Sequence, residues 1–374
     1  MTRPQTAFPI DSYIPQFDGL RGLSILAVFI AHSEFVRALP HAGFLEYGRL
    51  GVDLFFVLSG FLITGILLDS RENPHYFRNF YARRVLRIWP LYYLLLMAIF
   101  LVLPLFVSST RGTARHTWPF FVLYIQNLFV HLPTPFGLEP TWSLAIEEQF
   151  YITWPLLVAL LRKRTLALVL LCTVAVSLSL RIIGYEFGAS LKFVHNFTFC
   201  RLDAIAFGSL SAIWLRSKGC TLELWNRRAR QFMALGLVGV FAARLLFGQQ
   251  STVLSYTLIA ICFTSFLGVS LTSECQTSLL GTFLTTRALR YVGKISYGLY
   301  LLHMPIFLLV GNYARQRMLS SHFPATINIL ITLLQFGVAF AAAATSWRFF
   351  ETPILRLKAL FPSGSRMKSP QGKT

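Results

Sequence analysis

The sequence is poor in charged residues, and most of those it has are of one sign. Asp, Glu, Lys and Arg make up only 13% of its 374 residues, whereas 55% are hydrophobic. Because soluble globular domains carry about 25% charged residues, this balance indicates a polytopic membrane protein. The 34 Lys and Arg outnumber the 15 Asp and Glu, but no nucleic-acid-binding module or aromatic stacking motif accompanies them. A nucleic-acid partner is therefore not expected.

Several common markers of chemistry are also missing. The five cysteines are scattered without a CxxC pair, so neither a disulfide framework nor a zinc site is expected. No HExxH, GxxxxGK[ST] or GxGxxG motif occurs, and we expect no metal and no bound cofactor. The N-terminal residues lack the cationic start, apolar run and cleavage site of a signal peptide. The first apolar segment is therefore expected to remain as an anchor.

What the sequence does contain is a series of long apolar segments. A helix needs about 20 mostly apolar residues to cross a bilayer, and we predict an all-α, polytopic transmembrane bundle of about ten spanning helices. The predicted spans are 19–38, 51–69, 88–107, 142–161, 166–184, 198–215, 231–247, 252–271, 291–311 and 326–347. Segment 118–131 is apolar but short, and we predict that it is re-entrant or interfacial.

The distribution of Lys and Arg between the loops predicts the orientation. Most of them fall in segments that this set of spans puts on one side, and positive charge is enriched on the cytoplasmic side of membrane proteins. The opposite side receives few: Arg37, Arg49, Arg111, Arg115, Arg181, Lys192, Arg244, Arg315 and Arg317. We therefore predict that both termini are cytoplasmic.

Ionisable residues within these apolar segments, or at their edges, are the candidate functional residues. Charge at membrane depth costs free energy and by default marks a functional site. The candidates are Arg21, His32, Asp53, Arg84, Arg87, Glu147 and His303.

Arg21 and His32 lie on one predicted helix. At eleven residues apart, their side chains point in directions that differ by only about 20° around the helix axis, and they are separated by about 16 Å along it. A cation at the mouth and an imidazole farther in suit a long ligand with an anionic head and a reactive end. The alternative is an arginine that reaches the interface and a histidine that packs between helices.

Arg84 and Arg87 are three residues apart at the start of the third span. This spacing puts both guanidinium groups on one side of a helix, where paired donors can clamp a phosphate. Membrane topology alone also explains a basic cluster here. Together with Arg21 on the same side of the membrane, an anion site is the preferred interpretation.

Glu147 shares a helical face with Tyr151, a polar and aromatic pairing that suits a pocket wall. A carboxylate at this depth is costly unless it is paired or hydrogen-bonded. The alternative is an interfacial carboxylate that meets lipid headgroups, and this is the interpretation favoured for Glu148.

Three further residues have both a structural and a functional interpretation. His303 lies in the middle of the ninth span and serves either the chemistry or the helix packing. Asp53 lies near the start of the second span, and Glu351 follows the tenth beside Arg348. Either carboxylate is also suited to a local ion pair.

Six segments in order resemble the membrane acyltransferase 3 family of multi-pass O-acyltransferases. They are Phe17-Asp18-Gly19-Leu20-Arg21-Gly22 with His32-Ser33; Gly51-Val52-Asp53-Leu54-Phe55-Phe56-Val57-Leu58-Ser59-Gly60-Phe61; Tyr81-Ala82-Arg83-Arg84-Val85-Leu86-Arg87-Ile88-Trp89-Pro90; Trp142-Ser143-Leu144 through Glu147-Glu148-Gln149-Phe150-Tyr151; Ile295-Ser296-Tyr297-Gly298-Leu299-Tyr300-Leu301-Leu302-His303; and Phe349-Phe350-Glu351-Thr352-Pro353. The resemblance implies a membrane acyltransferase domain over residues 1–355. Residues 356–374 are predicted to be a polar cytoplasmic tail that is disordered.

The resemblance also implies an activity, in which an acyl group, commonly acetyl, moves from cytoplasmic acyl-CoA to a hydroxyl. The acceptor is an envelope glycan such as lipopolysaccharide, or a lipid-linked glycan, and acyl-CoA is a co-substrate. The setting is the bacterial inner membrane and its lipids. The family's signature residues fall on Arg21, His32, Arg84, Arg87, Glu147 and Glu351. The membrane domain then completes the transfer itself or hands the acyl group to a separate protein.

A mechanism consistent with these residues uses the three arginines to hold the donor phosphates and His32 as the general base. Glu147 either orients the imidazole or binds acceptor hydroxyls. Direct transfer and a transient acyl-enzyme both remain open. A secondary transporter or a non-catalytic subunit of polysaccharide export are the alternatives, although the inverted repeats typical of transporters are not visible.

Overall fold

The computed structural model describes residues 13–33, 36, 47–107, 110–129, 131–272, 277–318 and 325–362. Within these residues every regular element is a helix and no strand is present, which confirms the predicted all-α class. Helices suit long apolar segments because each one satisfies its own backbone hydrogen bonds where no water is available.

The main helices are numbered in chain order. They are α1 Pro15–His32, α2 Gly51–Asp69, α3 Tyr76–Met97, α4 Arg111–Val122, α5 Thr141–Leu160, α6 Lys163–Glu186, α7 Leu191–Asn196, α8 Thr198–Leu215, α9 Leu222–Phe247, α10 Thr252–Ser270, α11 Leu279–Leu284, α12 Arg287–Lys294, α13 Ser296–Met318, α14 Ala325–Ser346 and α15 Thr352–Arg356. A π-helical turn, Ala98–Val102, and the short helix Leu103–Phe106 extend α3. A second π-helical turn, Trp347–Glu351, joins α14 to α15.

The number of spans differs from the prediction. Among the described residues, seven helices are long and apolar enough to cross a membrane, and an eighth is formed if α12 and α13, bent by 71°, count as one span. The remaining two predicted spans are also helical, as α1 and α5, but they carry Asp18, Arg21 and the two adjacent glutamates. The count of about ten is therefore not confirmed.

The structure also describes two regions whose prediction was specific: segment 118–131 and the end of the predicted membrane domain. Segment 118–131 does not form a spanning helix, because α4 ends at Val122, the chain turns at Tyr124 with φ of 55°, and a single 3-10 turn, Gln126–Leu128, follows. At the other end, helical structure continues through Leu357–Leu360, beyond the predicted domain boundary. Residues 363–374 of the predicted tail lie outside the described residues.

Helices α2 and α8 pack at the centre of the bundle with their backbones in close contact. A side chain at Gly60 would meet the carbonyl of Ile205, and one at Gly208 would meet the carbonyl of Val57. Small residues at a helix crossing allow this approach in a membrane protein. Gly60 therefore faces α8, whereas the preceding Ser59 hydrogen-bonds to Glu147 and Tyr151 of α5.

Two buried ion pairs connect the central helices. Sequence reasoning considered an ion pair for Asp53 but did not foresee the partner in either pair. Arg181 on α6 lies 2.7 Å from Asp203 on α8, with the side chains 0% and 2% exposed. Arg201 on α8 lies 2.7 Å from Asp53 on α2, with the side chains 1% and 3% exposed. Arg181, which the sequence pattern counted among the cations of the outer side, is thus buried within the bundle, where pairing offsets the cost of its charge.

Candidate functional site

Three arginines from two helices converge on one cavity. A space of about 370 Å³ is lined by Arg21 of α1, by Arg84 and Arg87 of α3, and by Lys358. We call it the basic cavity. Its remaining polar lining residues are Ser59, Ser143, Glu147, Tyr151, Ser296, Tyr297 and Tyr300. The arginines that the sequence predicted to form an anion site are therefore brought together.

The position of Arg84 and Arg87 follows from the way α3 docks on α5. The hydroxyls of Tyr76 and Tyr81 donate hydrogen bonds to the carbonyls of Pro155 and Ile152, at 3.1 and 2.9 Å. The Arg84 guanidinium lies 5.9 Å from the centre of the Tyr151 ring. Among the described residues, its Nε is buried and has no hydrogen-bond partner.

Arg87 faces the far end of the chain. It lies 3.8 Å from Glu351 in an ion pair and 5.3 Å from the centre of the Trp347 ring. Of the two roles considered for Glu351, the local ion pair is formed, but with Arg87 and not with the sequence neighbour Arg348. Glu351 therefore orients a cavity arginine.

Arg21 is held by close packing of α1. Side chains at Gly19 and Gly22 would meet the carbonyls of Leu284 and Leu289, so the glycines on both sides of Arg21 let α1 lie against α11 and α12. Arg21 pairs with Asp18 at 3.4 Å, and its side chain is 34% exposed. It therefore provides a partly accessible cation at the edge of the basic cavity.

Glu147 lies in the basic cavity and not beside His32. Ser59 Oγ donates a hydrogen bond to Glu147 Oε1, and Tyr151 OH donates one to Ser59 Oγ at 3.3 Å. Of the two roles predicted for Glu147, orienting the imidazole or binding acceptor hydroxyls, neither has a corresponding hydrogen bond among these contacts, and the carboxylate and the imidazole line different cavities. The interfacial interpretation of Glu148 is also wrong, since this residue is only 5% exposed.

A second, larger cavity contains His32. It has a volume of about 960 Å³, and its polar lining includes His32, Arg49, Glu139, Lys192, His195, Arg244 and Tyr256. We call it the histidine cavity. His195 lies beside Trp142, with ring centres 4.7 Å apart, and its Nδ1 is 2.9 Å from Tyr256 OH. Sequence reasoning did not single out His195, since a lone histidine before α8 carries no motif.

The orientation of His32 determines which ring nitrogen is available for chemistry. Its Nδ1 lies 2.9 Å from the carbonyl oxygen of Val28. A carbonyl oxygen can only accept, so Nδ1 carries the proton in the neutral ring and Nε2 holds the lone pair. His32 at the end of α1 thus has the form of a general base.

His303 lies behind His32 and is fully buried. The two ring centres are 5.3 Å apart, and His303 Nδ1 is 2.7 Å from the carbonyl oxygen of Tyr300. The ring also stacks on Phe29. This burial and stacking fit the packing interpretation of His303, which does not line either cavity.

The two cavities share a wall made of two residues, Val52 and Tyr300. Tyr300 OH donates to the carbonyl of Pro140 at 2.9 Å and lies 2.6 Å from Ser143 Oγ. Arg21 and His32, which share one helix, thus line neighbouring cavities with the Tyr300 ring between them.

Asp53 does not line either cavity and instead pairs with Arg201. The Arg201 guanidinium lies 3.7 Å from the centre of the Tyr256 ring, which lines the histidine cavity. Asp53 is therefore connected to the histidine cavity through Arg201 and Tyr256. Among the described residues, no three His, Cys, Asp or Glu side chains converge in a way that could hold a metal ion.

Comparison with known proteins gives a family match. The sequence model of a protein family described as "Acyltransferase domain" matches residues 14–348 of this chain. The chain is 29% identical over 365 residues to the peptidoglycan O-acetyltransferase of Listeria monocytogenes. The alignment covers 91% of this chain and 56% of the relative. It is 28% identical over 360 residues to the O-acetyltransferase of Staphylococcus aureus strain NCTC 8325, with 91% and 57% covered. The chain thus spans a little over half the length of these relatives. No solved structure matches it.

Proposed function

The chain belongs to the acyltransferase family of that match, and from this premise we propose that it is a multi-pass membrane O-acyltransferase. Its reaction moves an acyl group, acetyl in the first instance, from acyl-CoA to a hydroxyl of an envelope glycan. One observation carries the proposal: three arginines line a cavity that shares a wall with a cavity containing an imidazole. Acyl-CoA has the matching form, with phosphates at one end and a thioester at the other.

The donor binds with its phosphates in the basic cavity. Guanidinium groups form charge-assisted, bidentate hydrogen bonds with phosphate oxygens. The buried Arg84 Nε, which has no hydrogen-bond partner among the described residues, has donor capacity that a phosphate satisfies. The pantetheine arm then extends past Ser59 and Tyr151 towards Tyr300, so the thioester arrives at the wall between the cavities.

Transfer takes place at His32. The acceptor hydroxyl donates its proton to His32 Nε2 while its oxygen attacks the thioester carbonyl carbon. The carbon–sulfur bond then breaks, and the departing thiolate takes the proton from the imidazolium. The products are an ester and free CoA, and the imidazole returns to its neutral form. Within this scheme Glu147 positions Ser59 and Tyr151 along the donor path and does not touch the imidazole.

The acceptor occupies the histidine cavity, in which His32 lies at the C-terminal end of α1. Its aromatic and polar lining, including Trp142, Tyr256 and Glu139, suits a sugar or a lipid-linked glycan. The name of the Listeria monocytogenes relative, a peptidoglycan O-acetyltransferase, supports a glycan acceptor. With both termini in the cytoplasm of a bacterial cell, the basic cavity faces the cytoplasmic supply of acyl-CoA, and the histidine cavity faces the outside of the inner membrane.

The activity is tested by reconstituting the purified protein in vesicles with acetyl-CoA that is labelled in the acetyl group. We expect labelled ester on an added envelope glycan, together with one free CoA for each ester formed. Intact labelled acetyl-CoA accumulating inside the vesicles would instead identify a transporter. If neither CoA release nor labelling of the glycan is detected, the proposed acyltransferase activity is refuted.

Replacing Arg84 with alanine is expected to weaken donor binding. Loss of a charge-assisted hydrogen bond costs about 1.5–3 kcal/mol, so the KM for acetyl-CoA should rise roughly 10- to 100-fold with a smaller change in kcat. Arg84→Lys should recover part of the loss, because it keeps the charge but not the bidentate geometry. Arg78, exposed on the same helix, is the matched control. A fall in kcat at unchanged KM would contradict a donor-binding role.

Tyr300 is expected to limit the size of the acyl group, since its ring lies between the two cavities. Tyr300→Ala removes the ring and should raise the use of butyryl-CoA relative to acetyl-CoA roughly 10-fold, in the range for methylene discrimination by an apolar pocket. Tyr300→Phe keeps the ring and should keep the preference for acetyl. The measurement is kcat/KM for both donors, and an unchanged ratio in Tyr300→Ala would exclude Tyr300 as the limiting residue.

A further inference from the structure

A fourth cation belongs to the basic cavity, and it comes from a part of the sequence that carries no motif. Lys358 lines the cavity together with Arg21, Arg84 and Arg87. It lies in the 3-10 turn Leu357–Leu360, more than 250 residues after Arg87 in the chain. The sequence pattern had assigned this position to a disordered tail.

The segment that carries Lys358 is anchored to the helix that carries Arg84 and Arg87. Arg83 Nη1 donates to the carbonyls of Lys358 and Phe361, at 3.2 and 3.0 Å. Asn79 Nδ2 donates to the carbonyl of Pro362 at 2.9 Å. We call residues 357–362 the C-terminal strap. Its backbone is therefore held by α3 on one side of the cavity, which sets the position of the Lys358 ammonium.

Most of the charged groups around Lys358 are cations, and the one carboxylate that lines the basic cavity with it, Glu147, accepts a hydrogen bond from Ser59. The groups whose fields act on its ammonium are Arg21, Arg83, Arg84 and Arg87. Among the described residues no carboxylate lies within ion-pair distance of Lys358. A half-buried ammonium surrounded by guanidinium groups is unfavourable by itself, and it becomes favourable when an anion with several charges enters.

We propose that Lys358 binds a phosphate in the basic cavity and that the C-terminal strap forms one wall of this anion site. The inference rests on the proposed function, because it takes acyl-CoA as the main ligand. CoA carries a diphosphate and a separate phosphate ester, and each can bind a cation. The shared chemistry is a phosphate anion, which the headgroup of an anionic lipid also supplies. Two independent observations support the site: the uncompensated Lys358, and the buried Arg84 Nε without a partner.

The test measures binding of CoA to full-length protein in nanodiscs of neutral lipid. We expect Lys358→Gln to raise the Kd for CoA about 10-fold and to leave binding of acetyl-pantetheine, which lacks both phosphate groups, within a factor of two of wild type. Lys358→Arg should restore CoA binding. Arg356→Gln, which removes an exposed cation two residues away, should have no effect. The thermal unfolding of each variant is measured in parallel.

A second set of nanodiscs with anionic lipid separates the two sources of phosphate. If wild type does not bind CoA, but anionic lipid stabilises wild type and not Lys358→Gln, the phosphate site stands and the donor proposal fails. The inference is overturned if Lys358→Gln and Arg356→Gln behave alike towards both ligands. It is also overturned if Lys358→Gln weakens acetyl-pantetheine binding as much as CoA binding, because the effect is then not on phosphate.

Discussion

Replacing His32 with alanine is expected to reduce acyl transfer about 10²–10⁴-fold, the range that a general base supplies. The reason is that no proton acceptor then remains at the position of Nε2, which the hydrogen bond from Nδ1 to Val28 leaves unprotonated. Binding of acetyl-CoA should change little, because His32 does not line the basic cavity. The measurement is the rate of labelled ester formation at saturating donor.

Two controls keep this test specific. His116→Ala removes an exposed imidazole on α4 and should retain full activity. His32→Gln preserves much of the side-chain volume without a basic nitrogen, and it should be as inactive as the alanine variant. Both His32 variants, His32→Ala and His32→Gln, should unfold at a temperature close to that of wild type. Activity near the wild-type level in either His32 variant would show that the imidazole is not the base.

Replacing Asp53 with asparagine is expected to lower the free energy of unfolding by about 3–5 kcal/mol, because it leaves the Arg201 charge buried and uncompensated. The pair is separated by 2.7 Å and is almost completely buried. The measurement is a denaturant titration in detergent micelles. The double variant Asp53→Asn with Arg201→Gln should be more stable than the single variant Asp53→Asn, since the stranded charge is removed.

The chain contains a matched control for this prediction. Arg216 and Asp69 form an ion pair of similar length, 2.8 Å, but with side chains 9% and 29% exposed. Asp69→Asn should therefore cost about 0–1 kcal/mol, the range for solvent-accessible pairs. Equal losses for Asp53→Asn and Asp69→Asn would mean that burial does not decide the cost here.

The helices and the ionisable positions could be read from the sequence. Apolar length and composition predicted every helix that spans the described bundle, since these are local properties of the chain. Local reasoning also placed Arg84 and Arg87 on one side of a helix, and both line the same cavity. It could not decide the number of crossings, because α1 and α5 carry charges that lower their apolarity while packing shelters them.

Sequence reasoning did not identify the partners of the buried polar residues. It offered the imidazole or acceptor hydroxyls for Glu147, which accepts a hydrogen bond from Ser59. It did not foresee the pairing of Arg181 with Asp203, and it left Glu148 at the interface although this residue is buried. In each case a polar group has its partner on a different helix, and nothing near it in the sequence identifies that partner.

By itself, the sequence determined that this protein is helical, crosses a membrane and carries arginines and a histidine where apolar residues would be expected. These properties depend on composition and on spacing within single helices. Only the tertiary structure decided that Asp53 faces Arg201, 148 residues away, that Lys358 joins the arginines, and that Tyr300 separates two cavities. Such pairings depend on how helices distant in the chain pack together, and the side chains of one helix do not specify their neighbours on another.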